Sequence, residues 1–240
     1  MKPKIRHNFV RLPLKAAYNV RDLGGYAGEN RKPTKYHVFL RSDNPEHLTK
    51  EDIQYLKDYG VTASIDLRGE SEAEHHPNPL QYEKDIKFIN IPFIVGDIMD
   101  VRMAAMPGFH VAGFYQDLID SHEMVYQIFD FILKQKGCVL YHCSAGKDRT
   151  GVVSMLLLGL CGVAKEDIIA SYQVSRTYLK DHVELNLPPE LMNLNYTEPE
   201  WMEETYDFLI NKYHSFEEYF LTVGFSKKDI KKLKKRLLTN

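Results

Sequence analysis

The run Tyr141-His142-Cys143-Ser144-Ala145-Gly146-Lys147-Asp148-Arg149-Thr150-Gly151 constrains this chain more than any other stretch. Before it, Val139-Leu140-Tyr141 reads as a short apolar strand; after it, TGVVSMLLLGLCG reads as a helix too apolar to face water. Strand, tight loop and helix in that order bring the loop's backbone N–H groups together at a helix N-terminus. Unpaired donors and the positive end of the helix dipole both favour an anion there. Gly146 lets the backbone turn where a side chain would clash. Arg149 adds a planar fork that spans two oxygens of a tetrahedral oxyanion, which a lysine cannot do.

Strands and helices alternate around this run. Val38-Phe39-Leu40 predicts a strand, Thr49 with Asp52 a helix start, and Gly60 its stop after Tyr59. Val61 to Leu67 and Ile86 to Ile91 read as strands; Phe109 to Ile119 and Glu123 to Lys136 read as helices, with Gly137 ending the second. The pattern predicts an α/β fold, a central and mainly parallel sheet flanked by helices. From about Lys165 the chain is helical, with capping boxes expected at Thr197/Glu200 and Ser215/Glu218. No linker or repeat divides the 240 residues, so one domain over 1–240 is expected, its late helices packing on the sheet or forming a cap.

A net charge of -2 gives no basic field for nucleic acid. MKPKIRHNFV lacks the apolar core of a signal peptide, and Val152 to Val163 is too short to span a bilayer. Cys138, Cys143 and Cys161 make no disulfide framework, which predicts reduced thiols and a cytoplasmic setting.

A thiol at the mouth of such a loop is expected to ionise with a pKa of about 3.5–7.5. The Cys143 thiolate is then placed to attack phosphorus while the amides and Arg149 hold the other oxygens. His142 is expected to fix the loop by side-chain hydrogen bonds, and Thr150 to donate its hydroxyl to the sulfur. This chemistry calls for no metal and no cofactor. The bland alternative, a buried structural Cys143 with Arg149 a surface charge, leaves the fixed spacing and the strand–helix context without a reason.

The segment resembles the active-site loop of the protein tyrosine phosphatase superfamily. Its Gly-Lys-Asp-Arg-Thr variant is similar to a bacterial tyrosine phosphatase-like group that also acts on phosphoinositides. Softer matches are Asn19 to Gly25, Leu40-Arg41-Ser42-Asp43, and Ile65-Asp66-Leu67-Arg68 with Glu72, so the likeness covers roughly residues 15 to 180. It implies the cysteine phosphatase fold, a phosphocysteine intermediate, and phosphate binding by Ser144, Ala145, Gly146, Lys147, Asp148 and Arg149. The implied substrate is a phosphotyrosine protein, with phosphoserine or phosphothreonine proteins and phosphoinositides as further classes. Asp148 matches the position of the general acid in this group; Asp97, after the strand ending at Ile91, is the second candidate, and a mere buttress for Arg149 the plain one. A phosphate-binding module without activity and a rhodanese-like sulfurtransferase are the rival classes.

Lys147 stands as either a headgroup contact or a solvated lysine. Arg21, Asp22, Asp66 and Arg68 are expected to form ion pairs that brace the loop. His75, His76 and His110 lack metal-ligand spacing and read as surface or loop residues. Cys138 is either a trap for an oxidised Cys143 or, as expected, an ordinary buried thiol. Ile230, Leu233 and Leu237 form one stripe of a lysine-rich helix, which either docks on the domain or contacts an anionic membrane peripherally.

Overall fold

A computed structural model of the chain describes residues 4–95, 110–182 and 195–239. Five strands among them, β1 (Arg21–Asp22), β2 (Phe39–Ser42), β3 (Val61–Asp66), β4 (Lys87–Asn90) and β5 (Cys138–His142), form one sheet in the order β1-β2-β5-β3-β4. β1 runs antiparallel to β2, and every other pairing is parallel. Every residue of β5 is buried. A central parallel strand is covered on both faces, so it reads as a continuous apolar run.

Alternation along β5 sends Val139 and Tyr141 to one core and Cys138 and Leu140 to the other. The second core is closed by α1 (Lys50–Tyr59) and the N-terminal segment, with Leu12, Val20, Leu56 and Tyr59. Thr49 caps α1 reciprocally with Asp52, and Gly60 stops it at φ 109°. α2 (Glu70–His75) buries none of its residues but brings Glu72 to the loop. The larger core lies under the remaining helices. They are α3 (Val111–Asp120), α4 (His122–Lys134), α5 (Asp148–Leu160), α6 (Lys165–Leu179), α7 (Pro199–Tyr213), α8 (Phe216–Val223) and α9 (Lys227–Leu237). α5 is enclosed nearly all round. At Gly159 an added Cβ would lie 2.2 Å from the Phe216 ring, so α8 approaches closer than any side chain allows.

Two boundaries differ from the sequence reading. Thr197 donates its hydroxyl to Gln173 O and caps nothing; α7 begins at Pro199. A proline suits that position because its missing N–H is one of the unpaired helix-start donors anyway. α4 ends at Lys134, before Gly137, because Arg236 reaches across from α9 to the carbonyls of Ile132, Gln135 and Gly137. A guanidinium there satisfies three carbonyls at the end of the helix, where its charge is favoured.

The membrane reading of α9 is corrected by the same packing. Ile230, Leu233 and Leu237 are 4%, 2% and 0% exposed. Burying each contributes roughly 1.5–3 kcal/mol to the fold, so the stripe that would enter a bilayer is already committed. No helix among the described residues is long and apolar enough to cross a membrane.

Candidate active site

β5 delivers the loop between its two parallel neighbours, with Ser42 and Asp66 both in register with His142. Each carbonyl from His142 to Gly146 is tied down. His142 O accepts from Leu67 N at 2.9 Å and Ser144 O from Asn44 N at 2.7 Å. Cys143 O accepts from His142 Nδ1 at 3.0 Å. Asn19 Nδ2 donates to Ala145 O at 2.9 Å and to Gly146 O at 3.2 Å, and Arg41 adds a bond to Gly146 O at 2.8 Å. In a trans peptide the N–H points opposite to the preceding C=O. Carbonyls drawn to groups outside the loop therefore turn the following amides inward, which is the anion nest the sequence predicts.

Gly146 has φ 65°, and a Cβ there would meet Ser42 O at 2.4 Å and Asp43 N at 2.6 Å. Both the turn and the close approach exclude a side chain. Cys143 lies at the base of the loop, 2% exposed, at the edge of the larger core with Tyr141. It lies five positions after Cys138, an odd spacing. Cys138 falls in the opposite core, and burial pushes its thiol well up. The two sulfurs lie on different faces of the sheet, which removes the disulfide-trap reading.

His142 is wholly buried, donates through Nδ1 to Cys143 O, and accepts at Nε2 from Asn78 at 2.9 Å. Burial pushes it down to about 4, so the ring is neutral with the proton on Nδ1. Asp66 and Arg68 make the expected ion pair, with bonds of 2.9 and 2.7 Å. Burial would raise the Asp66 carboxyl, but the Arg68 hydrogen bonds and His142 hold it below the usual range. Arg68 continues to Asn44 at 3.1 Å, whose amide holds Ser144.

Arg21 and Asp22 do not pair with each other. Neighbours on a strand face opposite ways, and Asp22 instead accepts from Gly24 N, His37 N and Tyr59 OH at 2.7–2.8 Å. Burial pushes Asp22 up to about 6.

Asp22 and His142 have opposite effects on stability with pH. His142, lowered on folding, contributes stability above about 6.5 that is lost as pH falls toward about 4. Asp22, raised on folding, contributes stability below about 3.8 that is lost as pH rises through about 6. Each amounts to about 3 kcal/mol, so between pH 4 and 6.5 they nearly cancel. Asp22→Asn should expose the His142 term, a loss of roughly 2–3 kcal/mol on acidification from pH 6.5 to 4. Urea midpoints across that range measure it, and a slope equal to wild type would disprove the pairing.

Arg149 is 4% exposed and forks onto Glu72, with Nη1 at 3.2 Å from one oxygen and Nη2 at 3.5 Å from the other. Nη2 also donates to Ser144 Oγ at 2.9 Å, and Ser144 in turn donates to Glu72. Burial opposes the charge on Arg149, but Cys143 and Glu72 outweigh it and raise the guanidinium above its usual range. Asp148 opens α5 with its side chain one-third exposed, and it accepts a hydrogen bond from Tyr115 OH. Tyr115 OH lies 2.9 Å from Tyr172 OH.

Lys147 fits neither sequence reading. It is 6% exposed, donates to Tyr196 O at 3.0 Å, and lies 3.4 Å from Asp148 and 5.7 Å from the centre of the Trp201 ring. Thr150 Oγ1 is buried with no hydrogen-bond partner, so the expected bond to the sulfur is not made. Asp97 lies outside the described residues. His75 and His76 bond to Ser71 O and Glu46, and His110 caps α3.

Asn78, Tyr115, Tyr172, Tyr196 and Trp201 are site neighbours that sequence reasoning missed. They sit on separate elements, and no local motif marks them. Asn19, Arg41 and Glu72 lay inside the softer motifs, without a stated task.

A Nostoc commune protein named tyrosine-protein phosphatase is 35% identical over 146 residues, 60% of this chain and 50% of that protein. A Cupriavidus necator protein, provisionally given the same name, is 29% identical over 190 residues, 72% of this chain and 69% of its own. The sequence profile of the tyrosine phosphatase family matches residues 12–239. By that match over almost its whole length, this chain belongs to the tyrosine phosphatase family.

Proposed function

We propose that the chain is a metal-independent protein-tyrosine phosphatase working through a phosphocysteine intermediate, with residues 1–240 acting as one catalytic unit. The observation that carries it is the set of outward-tied carbonyls from His142 to Gly146, with Cys143 at their base and the Arg149 fork fixed by Glu72. Inward amides and a fork match the equatorial oxygens of a phosphoryl group in transfer.

In the first step the Cys143 thiolate forms an S–P bond as the P–O bond to the leaving group breaks, and Asp148 gives its proton to the leaving oxygen. In the second step water attacks phosphorus, Asp148 takes up a water proton, and the S–P bond breaks to free phosphate. Asp148 suits both steps: it is next to Arg149, solvent-accessible, and oriented by Tyr115.

Asp148→Asn tests the assignment. Hydrolysis of alkyl phosphates, whose leaving groups need the proton, should fall about 10²–10³-fold. Esters of strongly acidic phenols should lose far less. Equal losses on both would refute Asp148 as the acid.

Phosphoinositides are the second substrate reading, with Lys147 and the in-loop Asp148 as its support. Lys147 donates to Tyr196 O and lies over Trp201, which weakens its part of that support, while Asp148 keeps its place in the loop. A panel of phosphopeptides and phosphoinositides separates the two.

A further inference from the structure

Two arginines stand behind the loop with no carboxylate among their hydrogen-bond partners. Arg21 and Arg41 are direct cross-strand partners of β1 and β2, 2% and 1% exposed. Like charges placed opposite each other repel, and a buried cation ordinarily needs a counter-ion. Arg21 donates to both oxygens of Asn19, to Ser171 O at 2.8 Å and to Ser175 Oγ at 3.0 Å. Arg41 donates to Gly146 O at 2.8 Å and Ser171 O at 3.4 Å. All of these acceptors are neutral. Both Nε atoms and Ser171 Oγ are buried with no partner at all. Burial raises the Asp43 carboxyl against the opposing pull of Arg21, and it gives its two oxygens to the amides of Tyr18 and Asn19.

An arrangement this costly points to an anion that comes and goes. Arg41 is in parallel register with Tyr141, and Cys143 follows Tyr141 by two residues, so all three side chains leave the same face of the sheet. Arg41 also holds the Gly146 carbonyl, which places its charge directly behind the nest.

We infer that Arg41, backed by Arg21, is a positioning residue that supplies charge to the Cys143 site. The thiolate, or a phosphoryl group bound in front of it, is the counter-ion that Arg41 otherwise lacks; the Asp43 carboxylate near Arg21 is already taken by the amides of Tyr18 and Asn19. The inference rests on Cys143 being the nucleophile. Burial holds Arg41 below its usual range, while Tyr141, Tyr26 and Cys143 act the other way. Burial, then repulsion from Arg41, does the same to Arg21. Tyr172 also faces Arg41, Tyr178 packs over Arg21 at 5.5 Å, and Glu72 and Asp148 are the carboxylates beside Arg149.

The test follows the rate of Cys143 alkylation by iodoacetamide against pH, together with the rise in Tm produced by tungstate. Folding of each variant is checked by circular dichroism. Arg41→Met should move the alkylation midpoint up by about one pH unit and weaken tungstate about ten-fold. Arg41→Lys, which keeps the charge and loses the fork, should recover most of both. A merely structural Arg41 would lower activity without moving the midpoint. An unmoved midpoint in Arg41→Met, or Arg41→Lys behaving as Met does, overturns the proposal. If Arg41→Met does not fold, Arg21→Gln must shift the midpoint the same way, and no shift there is equally fatal. Failure of the underlying reading looks different: alkylation and activity would both survive Cys143→Ser.

Discussion

Cys143→Ser should lower phosphatase turnover by on the order of 10⁴-fold or more while leaving the fold intact. The swap changes one atom in a side chain that is 2% exposed, and serine fills nearly the same space, so Tm should move little. What is lost is the nucleophile, since a hydroxyl does not ionise usefully at neutral pH even in a ring of amide donors. The nest itself survives, because its carbonyl ties to Asn19, Arg41, Asn44 and Leu67 do not involve the sulfur. Phosphate and tungstate should therefore still bind the variant. Rapid quenching of wild type with a phosphorylated substrate should give a phosphorylated Cys143 peptide by mass spectrometry. Retained turnover, or a phosphate found on another residue, would end the mechanism.

Arg149→Lys should cost about 10²–10³-fold in kcat, with a smaller change in KM. Glu72 takes both guanidinium nitrogens, and Ser144 Oγ takes a further bond from Nη2. That frame fixes the plane of the fork before substrate arrives. An ammonium keeps the charge but satisfies only one direction, leaving Glu72 partly unpaired and the equatorial oxygens held at one point. The loss belongs in kcat because the oxygens gain most from the fork as the phosphoryl group flattens during transfer. A lysine variant within five-fold of wild type would mean that the fork takes no part, and the ion pair with Glu72 would then be purely structural.

The fold class was legible because local signals agreed with the global arrangement. Thr49 and Asp52 cap α1 as their spacing predicts, Gly60 ends it in the left-handed region, and the apolar runs became the strands of the sheet. Errors fell where a distant group outbid a local one. Thr197 has the spacing of a cap but finds Gln173 O closer at hand. α4 stops short of Gly137 because Arg236, about a hundred positions away, takes its last carbonyls. The lysine-rich helix α9 has the same amphipathic pattern whether it meets a membrane or a core. Only its neighbours on α4 and α8 decide, and they bury the stripe.

The sequence by itself determined the candidate centre: a cysteine, a glycine and an arginine at fixed spacing between a strand and a helix. Those requirements are local, set by backbone turn, helix dipole and the reach of one side chain. Tertiary structure decided what surrounds that centre. It turned Lys147 under Tyr196, denied Thr150 the sulfur, oriented Asp148 through Tyr115, and set behind the loop two buried arginines whose hydrogen bonds go to neutral acceptors. These are contacts between residues tens of positions apart, and the free energy that selects them comes from burial and hydrogen bonding that exist only once the chain has closed on itself.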